Sequence, residues 1–172
     1  NSFVEIGNLV AARNTDFNTQ EKAAPTDGVI TGYGLVDGRL VYVYSQDASV
    51  MNGSIGEMHA KKIVNIYKIA MKVGAPVVGL IDCAGLRLQE ATDALNSFGE
   101  IFATQAMASG IIPQLTAVFG TCGGGSALIP QMAVRSDGSR HHFFHFFEQN
   151  FIKKFAGFKK MRTFASAFDK NA

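Results

Sequence analysis

The run Val77-Val-Gly-Leu-Ile81, entered through Gly74 and Pro76, constrains this chain more than any other segment. An apolar run without polar alternation leaves no face for water, so it reads as a strand covered on both sides. The preceding residues supply one cover. Ile63, Ile66, Tyr67, Ala70 and Val73 recur at three- and four-residue spacing, the apolar stripe of a helix, whereas Lys61, Lys62, Asn65, Lys68 and Lys72 fall mostly elsewhere. Ser54-Ile-Gly-Glu57 matches a capping box at its start, and Gly74 stops it. The cycle then repeats. Ala91, Leu95, Phe98, Phe102 and Met107 mark a second helix from about Gln89 to near Gly110, and Ile111 to Phe119 forms another buried strand. Gly120-Thr-Cys-Gly-Gly-Gly125 is a turn, and Ser126 to Met132 opens a further helix.

Upstream, Val29 to Val36 and Arg39 to Ser45 are β-rich runs joined by Asp37-Gly38, the signature of a hairpin with a type I′ turn. Before it lie a short apolar start at Phe3 to Ile6 and an irregular lead-in ending in Pro25-Thr-Asp-Gly28. Hairpin, helix, strand, helix, strand, helix is an α/β order in which helices cross between strands.

The 172 residues, 47% hydrophobic and 17% charged, hold one domain, or one domain with an appendage. A core of that size needs neither metal nor disulfides. Cys83 and Cys122 lie 39 residues apart with no C-x-x-C spacing, which argues against a disulfide framework and fits a reducing, cytoplasmic setting. No apolar stretch reaches the roughly 18 residues of a membrane-spanning helix, and no nucleic-acid partner is expected. The net charge of +2 conceals an asymmetry. Residues 1–134 carry 8 basic and 11 acidic side chains and 16 of the 18 glycines; residues 135–172 carry 8 basic and 3 acidic, with 9 of the 14 phenylalanines. These are read as a domain, 1–134, and a separate Phe/Lys-rich tail, 135–172.

The glycine turn joins the carboxyl end of a strand to a helix start, where main-chain NH groups are unpaired. Without Cβ atoms, an oxygen could approach the amides of Gly124 and Gly125 as in an oxyanion hole; a tight turn with close helix packing is the plain alternative. A phosphate loop fails for lack of a following Lys-Ser or Lys-Thr, and there is no G-x-G-x-x-G. Gly120-Thr-Cys122-Gly-Gly124 has the form of a nucleophile elbow with cysteine, but an acid and a histidine would have to come from the tail, so Cys122 reads better as packing. Asp82 and Arg87 read as a structural ion pair, Arg87 and Glu90 as holding a helix start, and His59 as packed or solvated.

Several stretches together resemble the carboxyltransferase subunits of biotin-dependent acyl-CoA carboxylases and related acyl-CoA decarboxylases. They are Asp27-Gly-Val-Ile-Thr-Gly-Tyr-Gly34, Tyr44-Ser-Gln-Asp47, Gly53-Ser-Ile-Gly-Glu57 with His59-Ala-Lys-Lys-Ile63, Gly74-Ala-Pro76, Asp82-Cys-Ala-Gly-Leu-Arg87-Leu-Gln-Glu90 and Ala108-Ser-Gly-Ile-Ile-Pro-Gln114. The resemblance implies a ClpP/crotonase-like fold of repeated ββα units, here incomplete. It implies a coenzyme A thioester as substrate, with Gly124 and Gly125 holding the thioester oxygen as it becomes an enolate. Together with the loops beyond the strand ends, it makes Ser45, Gln46, Gly53, Ala84, Gly85 and Leu86 the candidate substrate-binding residues. Carboxybiotin on a partner protein would supply the carboxyl group, its ring nitrogen taking the α-proton, so no side-chain base is required; no metal site is expected. Biotin carboxyl carrier protein, biotin carboxylase and a homo-oligomer, a hexamer, are the implied partners.

Where the family commonly shows Ser-Gly-Gly-Ala-Arg, this chain has Cys83-Ala-Gly-Leu-Arg87, which leaves acyl preference open. The family's second, biotin-binding half is missing, the chain starts at Asn1, and the resemblance stops after Ala133, so it reads as a fragment inactive alone. The tail reads as a frameshifted continuation, or as an amphipathic basic helix whose Phe144, Phe147, Phe151, Phe155, Phe158, Met161, Ala165 and Phe168 meet the domain, a partner or a membrane. His141, His142 and His145 lack a further metal ligand. Two rival functions remain: a free-standing crotonase-like hydratase or isomerase with Asp82 or Glu90 as its acid, and a non-enzymatic interaction module acting through the tail.

Overall fold

A computed structural model describes residues 2–13 and 24–133. The tail and its proposed helix lie outside the described residues. Five strands form one sheet in sequence order: β1 (Val4–Glu5), β2 (Val29–Val36), β3 (Arg39–Gln46), β4 (Val77–Cys83) and β5 (Gln114–Cys122). The first three pair antiparallel, and β3, β4 and β5 run parallel. Parallel neighbours need a crossover. α1 (Glu57–Val73) makes the one from β3 to β4, α2 (Ala91–Ala108) the one from β4 to β5, and α3 (Leu128–Ala133) follows the glycine turn. Among the described residues this is a mixed α/β fold in which one antiparallel hairpin feeds parallel strands.

The hairpin turns as its sequence requires. Val36 pairs with Arg39, and Asp37 and Gly38 have φ of 48° and 77°, the left-handed pair a type I′ turn needs. Gly74 ends α1 in the left-handed region at φ 69°, and Ala75 N–H closes onto Ala70 O at 3.1 Å. Ile63, Ile66, Tyr67 and Ala70 of α1, Val77 and Ile81 of β4, Phe98, Ile101 and Ala108 of α2 and Ile129 of α3 build one core. No helix among the described residues is long and apolar enough to cross a membrane.

Three expectations are corrected. Lys62 is buried, not on the solvent face, because its ammonium reaches carbonyls of the lead-in turn. The buried face of α2 is Ala94, Ser97, Phe98, Ile101, Thr104, Gln105 and Ala108; Ala91, Leu95 and Met107 are exposed. Finally, β5 is the last strand of the sheet among the described residues. It starts at Gln114, leaving Ile111 in the preceding turn, and Val118 and Phe119 remain about half exposed, at 51% and 49%.

Candidate functional site

The site is founded on how α1 begins. The expected capping box does not form: Ser54 Oγ donates to Met51 O at 2.7 Å, and the Glu57 carboxylate takes Arg13 at 2.7 Å and Lys61 at 2.5 Å. The orphan amides are satisfied from far along the chain. Glu57 N–H donates to Glu90 Oε2 at 2.6 Å and His59 N–H to Asp27 Oδ2 at 2.7 Å, so two buried carboxylates sit at the positive end of the helix. Arg87, only 1% exposed, binds both. Its Nη1 donates to Asp27 Oδ1 and to Glu90 Oε1, the latter at 2.9 Å, and its Nη2 donates to Ser54 O at 2.8 Å. Burial raises the Asp27 pKa above its ordinary value despite the opposing Arg87 charge.

Asp27 belongs to a turn, Pro25–Gly28, in which Thr26 and Asp27 adopt φ of 53° and 52°. Its carbonyls are taken by cations and donors of α1. Lys62 Nζ donates to Thr26 O at 3.0 Å and to Val29 O. His59, fully buried, bonds Asp27 O through Nδ1 at 2.9 Å and Gln46 Nε2 through Nε2 at 3.2 Å. The amide nitrogen only donates, so His59 is the neutral tautomer with its proton on Nδ1. Burial first, and then the Arg87 charge, lowers its pKa to about 3. Of the packed and solvated readings of His59, the packed one applies.

Burial also lowers the Lys62 pKa to about 8 from 10.5. Between those values the unfolded chain holds a proton that the folded chain has lost, so Lys62 makes stability rise with pH. Relative to Lys62→Met, wild type should therefore gain on the order of 2 kcal/mol in unfolding free energy between pH 8 and 10, a comparison that cancels the opposite trend from buried Cys83 and Tyr44, whose pKa values burial raises. An equal change with pH in both proteins would refute the assignment.

Arg87 ends a loop that is zipped to residues 52–55: Ala84 N–H donates to Asn52 O at 3.0 Å, Ile55 N–H to Gly85 O at 2.9 Å and Arg87 N–H to Ile55 O at 3.0 Å. The expected Asp82–Arg87 pair is absent. Asp82 instead fills the irregular step between β4 and β5, where its Oδ1 accepts Thr121 N–H at 3.0 Å and Thr121 Oγ1 at 3.3 Å, and a Cβ on Gly120 would fall on that carboxylate. On its other side the loop meets the glycine turn, backbone against backbone. Gly123 N–H donates to Cys83 O at 3.0 Å; a Cβ on Gly123 would lie 2.6 Å from Ala84 O, and one on Gly85 3.0 Å from Gly123 O.

Beyond this interlock, Gly124 and Gly125 are exposed. Gly124 has φ 55°, with nothing within 4 Å of where a Cβ would be, and the Phe98 ring backs Gly125, 3.3 Å from where its Cβ would be. Neither amide meets an acceptor among the described residues. Two adjacent NH groups without acceptors, on a surface without side chains, can receive an oxygen that gains negative charge.

Of the residues singled out from sequence, Ala84 and Gly85 meet the turn that carries Gly124 and Gly125, with Ala84 exposed, whereas half-buried Leu86 bridges to Ile55 and packs against the core. Ser45 and Gln46 are the buried end of β3; Gln46 is held between His59 and the Asp82 amide, whose N–H reaches Gln46 Oε1 at 3.3 Å. Gly53, also buried, has φ 64° and lies against the Asp82 carbonyl. Cys122 is partly buried against the core, with Ser126 Oγ 3.9 Å from its sulfur and no histidine or acid bonded to it among the described residues, so the elbow reading has no support. No group of three potential metal ligands occurs among the described residues; the tail histidines lie outside them. The Asp27–Arg87–Glu90 cluster was missed because its partners are up to 60 residues apart; only the Arg87–Glu90 spacing hinted at it.

The carboxyl transferase domain family matches residues 1–137. Methylmalonyl-CoA decarboxylase subunit alpha of Veillonella parvula is 50% identical over 132 residues, which are 77% of this chain and 26% of that protein. Propionyl-CoA carboxylase beta chain of Roseobacter denitrificans is 47% identical over 131 residues, 76% of this chain and 26% of the relative. Among solved structures, transcarboxylase 12S with methylmalonyl-coenzyme A and methylmalonic acid bound superposes with a TM-score of 0.75 at 37% identity, over 76% of this chain and 26% of that one. The chain spans about a quarter of the length of the curated relatives it matches.

Proposed function

Because this chain belongs to the carboxyl transferase domain family, we propose that it forms the acyl-CoA side of a carboxyltransferase site, in which main-chain dipoles stabilise a thioester enolate. One observation carries this reading: the adjacent, exposed amides of Gly124 and Gly125 have no acceptor among the described residues. Loss of the α-proton moves an electron pair into the thioester carbonyl, and its oxygen becomes the site of negative charge. Two NH groups aimed there favour that state over the neutral ground state, which is what lowers a barrier. As the bond from the α-carbon to the carboxyl carbon forms, the donor's nitrogen–carboxyl bond would break, and that nitrogen would take up the α-proton. Carboxybiotin on a partner protein would be the donor, and no residue of this chain is assigned to it. The substrate class follows from the relatives, whose names specify methylmalonyl-CoA and propionyl-CoA.

The hydratase or isomerase alternative is weakened. Glu90 is buried against Arg87 and the Glu57 amide and is not free to work on an α-carbon, and the partly buried Asp82 is tied to Thr121 through Oδ1.

Titration of propionyl-CoA tests the reading. Gly124→Val should weaken binding at least about tenfold, since it puts a branched side chain into the open space above Gly124 that the thioester would need. Gly38→Val is the control, because Gly38 also has positive φ and open space but lies in the distant hairpin turn. Equal affinity in wild type and Gly124→Val would remove the case for an acyl site here.

A further inference from the structure

We propose that Arg87 is a positioning residue for the Gly124 and Gly125 amides, acting through the loop on which the glycine turn rests. The proposal deepens the thioester reading and depends on it. An oxyanion pair works only within narrow limits, with donors about 2.7–3.1 Å from the oxygen, and a displacement of about 1 Å can cost a hundredfold. Something must therefore hold the turn at a fixed height. The turn carries no side chain to do this itself.

Arg87 is fastened at both its side chain and its main chain. The guanidinium joins Asp27, Glu90 and Ser54, with Nε also 3.4 Å from Ser54 Oγ, while its own N–H is bound to Ile55 O. From there to Cys83 the loop stays zipped to residues 52–55, and Cys83 O, Ala84 O and Gly85 then press directly on Gly123. A contact between main chains with no side chain between them has nothing soft to absorb a shift. Displacement of the loop is thus passed on to Gly123 and to the two amides after it.

Arg87 controls the other support as well. Glu90, which it grips, immediately precedes α2, and Phe98 of α2 is the ring that backs Gly125. The turn is held from the loop on one side and from α2 on the other, and one guanidinium fixes both. Lysine cannot reproduce this, because a single ammonium lacks the planar fork that reaches two carboxylates and a carbonyl together.

The test uses the full chain and two probes, propionyl-CoA and its thioether analogue, which lacks the carbonyl oxygen. Their affinity ratio isolates what the amides contribute. Wild type should prefer the thioester by about fivefold or more, the worth of one hydrogen bond. In Arg87→Lys the thioether should bind within about twofold of wild type while the thioester preference falls toward one. A merely structural role would weaken both probes together and leave the ratio intact, and that result overturns the proposal. Glu90→Gln keeps the side-chain shape but removes the charge that grips Arg87 and turns one of the two accepting oxygens into an NH2 that would face a donor, Arg87 Nη1 or Glu57 N–H, so it should lose part of the preference. Should the lysine variant not fold, Glu90→Gln decides, and full preference retained there overturns the proposal. Absence of any preference in wild type is a different outcome: it overturns the thioester reading itself, and this proposal with it.

Discussion

Arg87→Ala should destabilise the fold by about 3–5 kcal/mol in urea unfolding at pH 7, the cost of breaking a buried ion cluster from one side. Asp27 is 0% and Glu90 4% exposed, so neither carboxylate can recover in water what it loses with the guanidinium. The deficit should shrink on acidification. Burial already raises the Asp27 pKa above 3.8, and Arg87 is the largest influence holding it down, so without Arg87 it climbs further. The folded variant then keeps a proton that the unfolded chain has released, and its stability grows as pH falls through that raised value. His59 changes both proteins in the opposite sense. Its folded pKa of about 3 lies below 6.5, so stability is lost as pH falls below 6.5. Removing the Arg87 charge weakens that depression, which narrows the gap further, while Lys62, at about 8, stays protonated throughout. Unfolding at pH 7 and pH 5 measures the change. A deficit of equal size at both would mean that lost packing of the guanidinium, not unpaired carboxylates, sets the cost.

The parts of the fold that could be read from sequence are those whose cause is local. Asp37-Gly38 specifies its turn because both residues accept left-handed φ, and Val77 to Ile81 specifies a covered strand because nothing in it can face water. The phase of α2 failed for an equally physical reason. Its buried face carries hydroxyls that satisfy themselves within the helix: Ser97 Oγ donates to Asp93 O and Thr104 Oγ1 to Glu100 O, both at 2.7 Å. Gln105 is buried with its amide between Tyr67 OH at 3.3 Å and Ile129 O at 3.1 Å. A hydrophobicity pattern counts these as solvent-facing and so rotates the helix. The start of α1 failed because Ser54-x-x-Glu57 is a local signature, whereas the carboxylates that cap the helix come from the lead-in turn and from beyond β4.

The same division runs through the site. The glycine turn was legible, since a strand end followed by glycines and a helix start is continuous in sequence. Ser45 and Gln46 were placed by the rule that ligands gather beyond strand ends, but β3 continues through Gln46, so both are still buried strand residues, and the Gln46 amide is held by His59 and the Asp82 N–H. Arg87 was visible only as a charge near a loop. Its role depends on Asp27, 60 residues away, which no periodicity connects to it.

Gly53 and Gly124 separate the two reasons a site can need glycine. Both adopt left-handed φ, 64° and 55°, so an alanine at either suffers a similar conformational cost of about 1 kcal/mol. Their surroundings differ. A Cβ on Gly53 would fall on the Asp82 carbonyl at the end of β4, main chain that cannot turn aside, whereas one on Gly124 would meet nothing within 4 Å. Overpacking adds about 1–3 kcal/mol at the first and nothing at the second. Gly53→Ala should therefore cost about 2–4 kcal/mol in urea unfolding, and Gly124→Ala about 1 kcal/mol. Equal losses would show that φ alone dictates both glycines. The unequal result separates glycine required by packing from glycine with space above it, and the proposed acyl site needs that space beside NH groups that have no acceptor among the described residues.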